Sequence, residues 1–88
     1  MTIYALYNKG TAAERVAADL VRRLQDEQRI EAELLDADSP RGIQLAESYD
    51  VMGRPALIVI KDDGAPVQVW QGEDSLPSPA DVSYLVHQ

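Results

Sequence analysis

In Gly10-Thr11-Ala12-Ala13-Glu14-Arg15 a hydroxyl and a carboxylate stand three residues apart, where a polar break gives way to a periodic apolar segment. A hydroxyl is a nucleophile at pH 7 only when a base takes its proton. The one histidine, His87, lies at the far end of the chain. There is no cysteine, which excludes disulfides, thiolate-bound metals and thiol nucleophiles. What the spacing does specify is a capping box: Thr11 Oγ1 accepts from the N–H of Glu14, and the Glu14 carboxylate accepts from the N–H of Thr11. Asp36 with Asp38, and Glu73 with Asp74, offer oxygens to a hard cation but lack the ligand number and loop spacing of a calcium motif. They read as solvated loop charges, and no metal or cofactor is expected.

The elements that must position these residues follow from periodicity. Thr2 to Tyr7 mixes β-branched and aromatic residues as a strand covered on both faces would, and Asn8-Lys9-Gly10 breaks it. Val16, Ala17, Leu20, Val21 and Leu24 recur at helical spacing, which predicts a helix from Thr11 to about Gln28. Ile30 to Leu35 is expected as a second strand. Ser39-Pro40 supplies an N-cap and a first-turn proline for a helix running to about Tyr49. The uninterrupted run Ala56 to Ile60 has the pattern of a central strand, and Asp62-Asp63-Gly64 is a turn into the alternating Val67 to Trp70. A last helix starts near Ser78-Pro79 and turns Val82, Leu85 and Val86 inward. The order β-α-β-α-β-β-α predicts an α/β fold, a mixed four-stranded sheet with helices on both faces.

At 88 residues the chain is long enough for one core, so residues 1–88 are expected as a single domain. Fifteen acidic residues oppose eight basic ones, for a formal charge of −7. That balance disfavours phosphate backbones and anionic membranes, so neither nucleic acid nor membrane is an expected partner. No basic segment leads into an apolar core at the N-terminus, and no run approaches the roughly 20 apolar residues of a membrane span. A cytoplasmic monomer is the expectation.

Tyr49-Asp50-Val51-Met52-Gly53-Arg54-Pro55-Ala56-Leu57 resembles the connector of the thioredoxin superfamily, in which Gly-x-Pro-Thr enters the central strand with its proline cis. The likeness continues through Lys61-Asp62-Asp63-Gly64 to Gly72, and upstream through Leu35-Asp36-Ala37-Asp38-Ser39-Pro40. Starting directly at strand one makes the chain similar in size to glutaredoxin. The resemblance implies a thioredoxin-like fold and a cis Pro55. It also implies that Thr11 and Glu14 occupy, within a residue or two, the slots of the Cys-x-x-Cys motif. With no thiol in any register, disulfide exchange is excluded, and the slot becomes a helix start.

The resemblance further implies a groove, built here from Tyr7, Lys9, Gly10, Thr11, Arg54, Pro55 and Gly72. In the family the residue before the proline offers its backbone N–H and C=O to an extended peptide, a role that falls on Arg54. Arg54 replaces a usually hydrophobic residue, and a guanidinium there favours a carboxylate or phosphate. With Lys9 and the free N–H groups of the helix start, it defines a candidate site for a small anionic ligand. Tyr7 is expected to pack on the first helix, and Trp70 to be core. Three functions follow. The leading one is a redox-inactive binding module that recognises a protein segment or a small anion, and it is not an enzyme. The second is a regulatory interaction domain similar to the cysteine-free, thioredoxin-like clock protein KaiB of cyanobacteria. The third is glutathione binding or transfer, with Tyr7 or Thr11 acting on glutathione, although the all-helical second domain of glutathione transferases is missing.

Overall fold

A computed structural model describes residues 1–87. Its elements are β1 (Thr2–Tyr7), α1 (Ala12–Gln28), β2 (Glu33–Asp36), α2 (Pro40–Ser48), β3 (Ala56–Ile60), β4 (Pro66–Gln71), a single 3-10 turn at Glu73–Ser75, and α3 (Pro79–Val86). The four strands form one sheet in the order β2-β1-β3-β4. β1 pairs with β2 in parallel, Leu6 opposite Leu35, and with β3 antiparallel, Ala5 opposite Leu57. The β3–β4 hairpin closes the sheet antiparallel, Leu57 opposite Trp70. All five residues of β3 are buried, which is why this strand is apolar throughout rather than alternating.

The two sheet faces carry separate halves of the core. Ile3, Ala5, Leu57 and Val59 meet Ala17, Leu20 and Leu24 of α1 and Val82 of α3. Leu6, Ala56, Ile58 and Ile60 meet Ala46 of α2 on the opposite face, together with Val51. Side chains from successive residues of β3 therefore go to different helices, as the period of two requires. Tyr7 and Trp70 are half-buried and pack against the α1–α3 side, so both serve as packing residues. Among the described residues, no helix is long and apolar enough to cross a membrane.

Element starts and stops obey local chemistry. The Ser39 hydroxyl accepts from the N–H of Gly42 at 3.1 Å and donates to the carbonyl of Asp36 at 2.6 Å, with Pro40 in the first turn. The Ser78 hydroxyl accepts from the N–H of Asp81 at 3.2 Å, and the Asp81 carboxylate accepts from the N–H of Ser78 at 3.3 Å, a complete capping box. The hairpin turn closes through Gly64 at φ +91, its N–H donating to Lys61 at 2.9 Å.

The second strand lies further along the chain than the expected Ile30–Leu35. The end of α1 explains the shift. Arg29 takes a left-handed conformation at φ 57, the N–H of Ile30 closes onto the carbonyl of Leu24 at 3.0 Å, and the Ile30 side chain is buried in the α1 core. Ile30 thus belongs to the helix cap, and pairing with β1 begins only at Glu33.

Candidate functional site

The capping box expected at Thr11 and Glu14 is not formed. β1 ends at Tyr7, and the chain turns through Gly10 at φ +78. The Thr11 hydroxyl donates to the carbonyl of Asn8 at 2.6 Å, and the Thr11 N–H donates to the same oxygen at 3.3 Å. No N–H of the first helical turn reaches the Thr11 side chain. The Glu14 carboxylate accepts instead from the N–H of Gly10 at 2.8 Å, one residue short of the expected partner. The backbone of Thr11 is extended, as at the capping serines Ser39 and Ser78, but its hydroxyl is turned back to Asn8 and not forward to the helix. Among the described residues, the N–H groups of Ala12 and Ala13 have no acceptor in the protein. Beside them is an open cavity of about 540 Å³, lined by Gly10, Thr11, Ala12, Arg15, Val16 and Glu73.

The loop that leads into β3 follows α2 in the chain. The Arg54–Pro55 peptide bond is cis, as the resemblance implies, and Pro55 is buried. The end of β4 holds the loop at two levels. Gln71 Oε1 accepts from the N–H groups of both Met52, at 2.8 Å, and Gly53, at 2.9 Å, while the N–H of Gly72 donates to the carbonyl of Pro55 at 2.9 Å. A Cβ on Gly53 would come within 3.0 Å of the Gln71 Cβ and 3.3 Å of the Gly72 nitrogen, so glycine allows the two segments to approach this closely.

Arg54 is half-buried and folded onto its own loop. Its Nη1 donates to the carbonyl of Gly53 at 2.9 Å and reaches that of Val51 at 3.5 Å. Its Nε is buried without an acceptor. Its backbone N–H and C=O make no hydrogen bond among the described residues.

The expected site residues therefore divide. Gly10 and Thr11 share one cavity, to which the chain returns at Glu73 directly after Gly72. The Arg54 side chain lines a different cavity, between α2 and its own loop. Lys9 is exposed and makes no ion pair among the described residues. Two residues escaped the sequence reading. Arg15 is one helical turn from Thr11 on the cavity wall, a position the helical spacing alone could have suggested. Gln71 carries no such signal, because its role exists only once β4 is placed beside the loop.

No family profile and no curated protein matches the sequence. Solved structures do match the fold. Thioredoxin 1 from the thermophilic eubacterium Thermosipho africanus TCF52B superimposes with a TM-score of 0.67 at 13% identity, over 99% of this chain and 91% of the thioredoxin. A malarial protein superimposes with a TM-score of 0.69 at 20% identity, over 98% and 92% of the two chains. A thioredoxin from Thermus thermophilus gives 0.61 at 19% identity, over 98% of this chain and 71% of the other. The chain has the thioredoxin-like fold, in an α/β arrangement without a cysteine.

Proposed function

We propose that the protein is a redox-inactive binding module that receives an extended protein segment between the start of α1 and the Arg54–Pro55 loop. The observation that carries this reading is the unpaired N–H and C=O of Arg54, on a loop pinned from behind by Gln71 and Gly72. An extended chain satisfies such a pair with its own backbone, as in strand addition to a sheet edge. The alternative of a small anion is less well served. The Arg54 guanidinium is engaged with carbonyls of its own loop, and Glu73 brings a carboxylate to the cavity of Gly10 and Thr11. With no thiol in the chain, thiol–disulfide exchange has no nucleophile.

The test is an amide NMR titration with three separate probes: a pool of short peptides of mixed sequence, reduced glutathione, and inorganic phosphate. The peptide pool is expected to move the Arg54 and Gly72 resonances, and phosphate to leave them in place. A response to phosphate or glutathione alone, centred on Gly10 and Thr11, would replace the segment by an anion. Four unmoved amides with every probe would remove the groove as a binding site.

A further inference from the structure

The loop that carries Arg54 has a second face, turned toward α2. A cavity of about 370 Å³ lies there, with Ile43 of α2 and Met52 of the loop in its wall. These two side chains are 47% and 82% exposed, so a large aliphatic group and a thioether both stand in water beside one hollow. Buried Ala46 and Val51 complete the apolar lining. Asp38, Glu47 and Asp50 surround it, all exposed, and none of them forms an ion pair among the described residues. Asp50 holds φ 56, where glycine would be less strained, so a carboxylate stands there at a conformational cost. The single cation in the lining is Arg54, whose Nη1 is occupied by loop carbonyls.

We propose that this cavity is a second docking surface, and that its occupant is a protein segment bearing an apolar side chain next to lysine or arginine. Exposed Ile43 and Met52 gain by leaving water, and the unbranched Met52 adapts to the shape of what enters. The three carboxylates, of which Asp38 also accepts from Asn8 Nδ2 at 3.4 Å, select the charge of the flanking residues, on a chain whose formal charge of −7 already draws cationic partners toward it. An acidic segment would meet the same rim as repulsion. This surface needs only side-chain contacts and makes no use of the Arg54 backbone or of the Gly10–Thr11 cavity.

The experiment is a second amide NMR titration with three synthetic peptides: leucines flanked by lysines, the same peptide with glutamate for lysine, and the same peptide with serine for leucine. The lysine–leucine peptide is expected to shift Ile43, Glu47, Asp50 and Met52, and the other two to bind far more weakly. Met52→Ser, at a position exposed enough to leave the thermal melt unchanged, should weaken binding roughly tenfold. Glu47→Gln with Asp50→Asn should weaken it roughly threefold and flatten its dependence on salt. Equal binding of the glutamate peptide, shifts confined to Gly10, Thr11 and Gly72, or no shift at all would each overturn the proposal. Because those three amides report the groove and Ile43 with Glu47 report this face, failure here is distinguishable from failure of the groove.

Discussion

The starts of α1 and α2 are two versions of one turn, and they end differently. In both, the N-cap hydroxyl donates to the carbonyl three residues earlier, Thr11 to Asn8 and Ser39 to Asp36, each at 2.6 Å. Ser39 then also accepts from the N–H of Gly42, and Gly42 lies so close to the end of β2 that a Cβ would fall 2.0 Å from the carbonyl oxygen of Asp36. The start of α2 is closed and packed. Thr11 accepts nothing, and a Cβ on the neighbouring Gly10 would meet nothing within 4 Å. The same local chemistry thus builds a structural joint on one face of the sheet and an open helix start on the other. A hydroxyl of the right kind is present at both places, and only the one at α2 also accepts from its helix.

The largest test of this contrast is Gly42→Ala. Its Cβ would collide with backbone at Asp36 and Ala37, and neither can retreat like the end of a flexible side chain, so a loss of about 3 kcal/mol is expected in urea unfolding. A loss below about 1 kcal/mol would mean that α2 is not seated so tightly. Next in size are the true caps: Ser39→Ala and Ser78→Ala should each cost about 1 kcal/mol in the same assay. Of similar size on the open side is Gln71→Ala. It removes the acceptor shared by Met52 and Gly53, and should cost about 1 kcal/mol and speed hydrogen exchange at those two amides selectively. Uniform exchange rates would show that the loop is held by Gly72 alone. Smallest is Thr11→Ala, expected within about 0.5 kcal/mol of the parent, because the exposed hydroxyl caps no helical N–H. A cost matching that of Ser39→Ala would erase the distinction.

Where local chemistry decides, the sequence was readable. Ser39-Pro40 and Ser78-Pro79 open helices as their types demand, and the bare run from Ala56 to Ile60 is the fully buried strand it looks like. For Pro55 the likeness of its surroundings to thioredoxins implies a cis bond, and the bond is cis. Thr11-Ala12-Ala13-Glu14 misleads because the four-residue pattern is silent about competing partners just before it, here the carbonyl of Asn8 for the hydroxyl and the N–H of Gly10 for the carboxylate. Ile30 misled because a β-branched residue after a helix serves equally as a strand or as the plug of a left-handed cap, and burial against α1 chose the plug. The direction of the Arg54 side chain was beyond local reading. It depends on two carbonyls of the folded loop and on α2, which hold the guanidinium beside the cavity on the α2 side.

The short outer strand also limits what the edge of the sheet offers to another strand. β2 offers only four residues, and two of them, Glu33 and Asp36, are acidic. At the opposite margin β4 begins with Pro66, which has no N–H to give, and its register slips near Val59 and Ile60. A passing strand finds few consecutive donors and acceptors along β2. The β2 rim is thereby a poor template for the fibrillar stacking to which exposed strands are prone, and Pro66 shortens the β4 rim by one donor.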